Sequence, residues 1–354
     1  MKVIFIPDYR NVNAYQINLA ESISRLNVEI NFGGFYGMFA VLKSVKKFWK
    51  PDILHIHWTN PFTIGRGKIM TVIMAGDFIF ELLLLKFLGI RVVWTVHNIV
   101  NHEEKFSSLE LFFNKLIARL CDRLIVHCPS AKKDVMKIYN IEASSIAVIS
   151  HGNYIDSYEN IITSSQAKES LELDITDIVF LNFGQIRPYK GIPELITAFE
   201  RLNNKKAKLL IAGKPLNDEV ARDILERCKN NKRIKTFFGF IPDDEIQVYM
   251  NAADIVVLPY REISTSGAVI TAMSFGKTLI APSAGCIADI LDERGCFLYR
   301  KIQGGLLKAM QRALDTDKAI LQSMGKYNLG LAEHLGWNEI AEDTCNVYRK
   351  SKNS

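Results

Sequence analysis

Short apolar runs alternate with helical patterns along the whole chain, and that alternation restricts the fold more than any single motif. In the first half, Lys2–Ile6, Asp52–His57, Arg91–His97, Arg123–His127 and Ile146–Ile149 are strand-length runs. Patterns with helical spacing lie between them, as in Tyr15–Leu26 and Leu109–Leu120. The second half repeats the scheme with Ile178–Phe183, Lys208–Ala212, Ile234–Phe238, Asp254–Pro259 and Thr278–Ala281. Strands joined through helices form parallel sheets covered by those helices. The chain has 354 residues, enough for two such domains. The expectation is an α/β protein with two Rossmann-like domains, residues 1–155 and 156–335, their parallel sheets facing across a cleft. The polar, Ser-rich stretch Asn153–Asp177 reads as the linker region.

Two loops carry the chemistry. The apolar run Ile178–Phe183 ends in Gly184-Gln185-Ile186-Arg187-Pro188-Tyr189-Lys190-Gly191, and a helical pattern opens at Pro193. Arg187 and Lys190 therefore stand at the carboxyl end of a strand, where open α/β sheets bind ligands. A guanidinium fork and an ammonium point charge both suit a diphosphate. The second loop, Arg261-Glu262-Ile263-Ser264-Thr265-Ser266-Gly267, follows another strand and precedes the helical segment Ala268–Phe275. Ser264, Thr265 and Ser266 supply capping hydroxyls, and Gly267 leaves the backbone unobstructed. Amide groups and the dipole at such a helix start make an anion site. The two loops lie about 75 residues apart in one domain, so a shared diphosphate is the economical reading.

Charge is unevenly placed. Residues 1–155 hold 18 Lys and Arg against 12 Asp and Glu, whereas residues 156–354 hold 26 of each. Lys43, Lys46, Lys47 and Lys50 cluster with Phe48 and Trp49, a composition that suits an anionic membrane face. No nucleic-acid-binding module accompanies the charge, so no nucleic-acid partner is expected. The most apolar stretch, Phe78–Leu88, is interrupted by Glu81 and Lys86; it reads as a buried helix, too short to span a bilayer. No signal peptide is expected, because Met1-Lys2 runs straight into the first strand. The six cysteines are scattered with no Cys-x-x-Cys, as is usual in a cytosolic protein. A cytoplasmic protein, peripheral at the cytoplasmic membrane face, fits these features.

Metal and dinucleotide chemistry lack their signatures. His55 and His57 share one strand face, but no third ligand is apparent. Asp315-Thr316-Asp317 sits in a polar junction between late helices and reads as a helix-capping loop. Gly65-Arg66-Gly67-Lys68 lacks P-loop spacing, and no Gly-x-Gly-x-x-Gly follows a strand. Neither a metal nor a cofactor is expected.

The chain resembles the retaining nucleotide-sugar glycosyltransferases of the GT-B fold, GT4-like (glycosyl transferases group 1), over nearly its whole length. The pieces that carry the resemblance are Gly184–Gly191, Met250-Asn251-Ala252-Ala253-Asp254, and Ser266-Gly267 leading to Ala272-Met273-Ser274-Phe275-Gly276. Asp52–His57 and Thr95-Val96-His97-Asn98 match first-domain segments, and residues 336–354 resemble the family's last helix, which packs back on the first domain. The resemblance implies sugar transfer from a nucleoside-diphosphate donor to a glycan or lipid-linked acceptor in surface polysaccharide or glycolipid synthesis. It also implies retention of configuration without a metal, by attack on the leaving-group face. Arg187, Lys190 and His97 become the candidate catalytic residues. Gly184, Ser264, Thr265, Ser266 and Gly267 are candidates to hold the donor, with Phe240 and Ile241 against its base. Asn13, in a loop where relatives often have glycines, and His57 at a strand end are the acceptor-side candidates. Relatives often carry two glutamates around the second loop; here those positions are Ile263 and Thr271, and Glu262, one residue from the first, is the donor-binding candidate that would serve through a shifted loop. Without the glutamates, an inert nucleotide-sugar-binding partner and a sugar-nucleotide epimerase of the same fold stay open.

Overall fold

The computed structural model describes residues 1–99, 107–262 and 266–352. The chain divides into two compact units, Met1–Gly152 with Gly336–Ser354, and Asn153–Leu335. Each is built on one six-stranded sheet in which every pairing is parallel.

In the first unit the strands are β1 (Lys2–Ile6), β2 (Glu29–Phe32), β3 (Ile53–Ile56), β4 (Arg91–Thr95), β5 (Arg123–Val126) and β6 (Ile146–Val148), in the order β2-β1-β3-β4-β5-β6. β1 and β3 are neighbours although β2 lies between them in sequence, so the direction of winding reverses there. That reversal leaves a crevice at the carboxyl ends of β1 and β3, the topological switch point. Val3, Phe5, Ile53, Val93 and Ile125 of the sheet pack with Tyr15, Leu19 and Ile23 of the helix Ala14–Ser24. The carboxyl-terminal helix Trp337–Lys352 adds Ile340, Ala341, Cys345 and Tyr348 to the same core.

The second unit contains β7 (Ile178–Phe183), β8 (Ala207–Gly213), β9 (Ile234–Phe238), β10 (Ile255–Val257), β11 (Thr278–Pro282) and β12 (Cys296–Tyr299), in the order β12-β11-β10-β7-β8-β9. The reversal here falls between β7 and β10, which pair through Ile255 with Phe180 and Val256 with Leu181. β7 is buried from Val179 to Phe183, as expected for a parallel strand covered on both faces.

Three expectations are revised. β2 and β12 add an edge strand to each sheet beyond those the sequence leads one to expect; each is only four residues long, and β2 mixes polar with apolar residues. The stretch read as a linker holds the helix Ser164–Ser170, opened by a capping box between Thr163 and Gln166, and Lys168 is buried against Asp254. The apolar stretch Phe78–Leu88 is the end of a longer helix, Lys68–Phe87, one face of which is exposed rather than buried. No helix among the described residues is long and apolar enough to cross a membrane.

Candidate functional site

In the second unit, strand order brings together the loops that sequence separates. Gly184 ends β7 with φ near 102°, a conformation open to glycine and costly for other residues. A Cβ placed on Gly184 would lie 3.4 Å from Lys190 Nζ and 3.9 Å from Ala268 Cβ. Lys190 Nζ and Ala268, in the first turn of the helix Gly267–Ser274, thus both lie beside Gly184. Lys190 Nζ is 5.7 Å from the centre of the Tyr260 ring. The Tyr260 hydroxyl shares a 2.9 Å hydrogen bond with Ser266 Oγ, and Ser266 Oγ accepts the Val269 N–H at 3.2 Å as the helix N-cap. Burial raises the Tyr260 hydroxyl well above the usual phenol range, so it stays protonated.

The two loops are also tied through backbone. Arg261 N–H donates to Tyr189 O at 2.8 Å. Gly191, with φ near 70°, packs so close to Pro259 O that a Cβ would overlap it. Asn182 Nδ2 donates to Val257 O at 2.8 Å, linking β7 to β10 just below the loops. Lys190, Ser266 and Gly267 are therefore held on one small patch at the switch point.

Arg187 takes a different direction. Its Nη1 donates to Ile186 O at 3.2 Å and to Lys214 O at 3.4 Å, on the β8 side of the loop. Phe240 is 61% exposed just past β9, with half-buried Ile241 beside it, two strands from β7. Glu262 is exposed beyond β10. Ser264 and Thr265, with Ile263, lie outside the described residues. Thr271 is buried and donates its hydroxyl to Gly267 O at 2.9 Å, inside its own helix. Sequence reasoning missed Tyr260, Ala268 and Tyr154. The Tyr154 hydroxyl is 3.7 Å from a Cβ placed on Gly267, and the Tyr154 N–H donates to Ser274 Oγ at 2.9 Å. Tyr260 at its strand end was the one with a readable signal; Tyr154 sits in the stretch read as linker.

In the first unit, five of the seven histidines gather beneath the β1/β3 switch point. His57 and His97 follow β3 and β4; His127 and His151 follow β5 and β6; His55 lies within β3. His127 Nδ1 is 3.0 Å from Ile149 O, so Nδ1 carries the hydrogen and Nε2 the lone pair. His97 Nδ1, 3.2 Å from that Nε2, must then donate, which leaves His97 Nε2 as an acceptor. His97 stacks on Trp58 at 4.6 Å and 11°, with Tyr15 edge-on at 5.0 Å. His57, expected on the acceptor side, is 1% exposed, 4.6 Å from the Phe5 ring and 4.2 Å from the His55 ring. Neither nitrogen of His57 has a hydrogen-bond partner among the described residues. Half-buried Trp58 is its neighbour toward the surface. Asn13 caps the helix Ala14–Ser24, its Oδ1 accepting the Tyr15 N–H at 3.0 Å.

Burial pushes His55 and His151 down to about 3 and His127 to about 4, and holds His57 and His97 well below the usual imidazole range. All five are neutral at pH 7. No group of three or more His, Cys, Asp or Glu placed to hold a metal ion occurs among the described residues. Asp317, in the discounted Asp-x-Asp triplet, accepts the Ala319 N–H at 2.7 Å as a helix cap.

Residues 3–154 match the family model Glycosyltransferase Family 4, and residues 164–328 match Glycosyl transferases group 1. A GDP-mannose:glycolipid 4-beta-D-mannosyltransferase of Xanthomonas campestris pv. campestris is 26% identical over 263 residues, which cover 73% of this chain and 70% of that protein. Among solved structures, sucrose-phosphate synthase of Thermosynechococcus elongatus superimposes with a TM-score of 0.80 at 16% identity, covering 99% of this chain and 98% of the other. Anabaena HepE in complex with UDP-glucose gives 0.79 at 15% identity, covering 99% and 100%.

Proposed function

Since the chain belongs to the GT-B glycosyltransferases, with a GT4-type first half and a group 1 second half, we propose that it moves a hexose from a nucleoside diphosphate to an acceptor hydroxyl with retention of configuration. The acceptor is a glycan or lipid-linked saccharide, in keeping with the glycolipid acceptor in the name of the mannosyltransferase it resembles. The observation that carries the reading is the meeting at Gly184 of Lys190 Nζ and of Ala268 from the first turn of the helix Gly267–Ser274, with Tyr260 next to both Lys190 and Ser266.

The difficult event is breaking the bond between the anomeric carbon and the β-phosphate oxygen. Negative charge grows on the diphosphate while positive charge grows on the sugar. Lys190 and the amide groups of Gly267 and Ala268 meet the growing negative charge, and preorganised donors of this kind are each worth about 3 kcal/mol of barrier. Ser266, held by Tyr260 and by Val269 N–H, fixes where those amides point. The acceptor oxygen forms the new bond on the face the phosphate leaves, and its proton passes to the departing phosphate oxygen. Charge on the diphosphate is met by Lys190 and backbone, so the scheme routes no step through a metal. His97 presents an unprotonated Nε2, suited to accept a hydrogen bond from a sugar hydroxyl. Phe240 and Ile241, exposed and half-buried past the end of β9, are the residues against which the base would stack. Arg187 would serve the phosphates through a guanidinium whose Nη1 is turned toward Ile186 O and Lys214 O.

Incubation with UDP-glucose, GDP-mannose and related donors, without acceptor, tests this through slow release of nucleoside diphosphate. Release should persist in excess EDTA, and Lys190→Ala should lower kcat/KM at least about tenfold, or ~1.4 kcal/mol. Donor binding with no turnover, even with candidate saccharide acceptors, would identify an inert partner, and interconversion of the sugar would identify an epimerase.

A further inference from the structure

The helix Lys68–Phe87 buries Thr71, Ala75, Phe78, Leu82 and Leu85, which form one stripe at helical spacing. Its opposite face should then be polar. Instead, Ile69, Val72, Ile73, Phe80, Leu83 and Phe87 line that face, all exposed, with Ile69 at 80% and Phe87 at 86%. Their spacing of three and four residues, with exposed Gly76 between, keeps them in one apolar arc about 100° wide. A soluble monomer rarely leaves so continuous an apolar strip in water.

The charges around the strip are sorted. The acids of this helix, Asp77 and Glu81, point to the neighbouring helix Ala40–Phe48. Asp77 Oδ2 accepts Phe39 N–H and Glu81 Oε1 accepts Leu42 N–H, each at 2.8 Å. Both carboxylates thus sit on the positive end of that helix, which compensates them. The bases remain outside: Lys43, Lys46 and Lys50 on one flank, and Arg66 and Lys68 by the start of the strip, are exposed and have no ion pair among the described residues. Phe39 and Trp49, at the two ends of Ala40–Phe48, hold left-handed backbone with φ of 56° and 46°. Bulky residues rarely tolerate that conformation, and Trp49 is left 78% exposed by it.

We propose that the exposed face of Lys68–Phe87 docks on an anionic lipid bilayer, its apolar side chains entering the headgroup region while Lys43, Lys46, Lys50, Arg66 and Lys68 meet lipid phosphates. The sequence pointed to Lys43–Lys50; the structure adds the apolar strip beside it, which supplies the inserting surface. A second copy of this chain is the less suitable occupant, since a two-fold contact would bring like charges together around the strip. The inserting surface lies along the interface plane, as in a monotopic protein, and no membrane crossing is involved.

Co-sedimentation of the full chain with vesicles, without nucleotide, tests this independently of the transferase reading. Vesicles containing phosphatidylglycerol should carry the protein down, and pure phosphatidylcholine should not. Phe80→Ser with Leu83→Ser should weaken binding at least about tenfold at an unchanged melting temperature, and Lys43→Ser with Lys46→Ser should remove the preference for phosphatidylglycerol. Vesicle binding that is absent, or unchanged in the Phe80/Leu83 variant, overturns the proposal. So does a wild-type dimer that the same variant dissociates, because the strip would then be covered by its own copy.

Discussion

Lowering the pH from 7.0 to 5.5 should destabilise the first unit far more than a typical α/β domain. His55, His57, His97, His127 and His151 are buried and neutral, each with its pKa depressed below the ordinary value of 6.5. The unfolded chain therefore takes up protons that the folded unit refuses. Stability is present above the unfolded pKa and is lost as pH falls below it. For an imidazole that stays neutral in the fold, the step to pH 5.5 costs about 1.2 kcal/mol, and five together about 6 kcal/mol. Glu81 works the other way. Burial raises it to about 7, so it contributes stability on acidification, about 1.5 kcal/mol over the same step. The net loss is about 4–5 kcal/mol, a large part of the stability of an ordinary domain. All four tryptophans, Trp49, Trp58, Trp94 and Trp337, belong to the first unit, so their fluorescence reports its unfolding selectively. In urea the midpoint should fall by about 2 M, taking a slope near 2 kcal/mol/M. His57→Phe removes one of the five sites and should shrink the pH effect by about 1.2 kcal/mol. A midpoint that moves by less than about 0.5 M between the two pH values would refute the argument, since the imidazoles would then be protonated alike in both states.

Arg187→Ala should lower kcat/KM for the donor at least about tenfold if the guanidinium exchanges its two carbonyls for phosphate oxygens during turnover; unchanged steady-state kinetics would confine Arg187 to bracing the loop against β8. Ser266→Ala should cost about 1 kcal/mol of stability through the lost N-cap and should raise KM as well, because the amides of Gly267 and Ala268 lose their anchor; calorimetry and donor saturation curves check the two effects separately.

Much of the donor patch was legible beforehand for a local reason. Gly184, Lys190, Ser266 and Gly267 sit where a strand stops and a helix starts, and such ends announce themselves through a change of period and through residues that suit tight backbone or capping. Lys190 needed only its position in that turn to be singled out. Tyr260 joins it because a crossover places β10 beside β7, and a ring at the end of one strand then meets the ammonium of the other. Arg187 has the same local credentials as Lys190 but points to Lys214 O, a direction set by neighbouring backbone and not by the loop's own sequence. From sequence, His127 and His151 read as structural residues, at a strand end and at the interdomain turn. The hydrogen bond from His127 to Ile149 O, which orders the His97 tautomer, belongs to the packing of β5 beside β6.

The Phe78–Leu88 stretch shows the same division from the opposite side. Apolar composition made a buried helix the natural expectation, but a helix of Leu, Ile and Phe on every side does not say which stripe meets the core. Packing settles that, by covering Phe78 and Leu82 and leaving Phe80 and Leu83 in solvent.

Read alone, the amino-acid order determined the strand and helix alternation, the two parallel sheets, and the chemical type of both phosphate-competent loops, because these depend on residues within a few positions of one another. Tertiary structure decided that loops about 75 residues apart meet in one patch around Gly184 and Tyr260, that five histidines from four strand ends and one strand interior lie in one dry cluster, and which face of the longest first-unit helix stays uncovered. Those outcomes depend on strand order and on competition for buried surface, neither of which is encoded by any short segment.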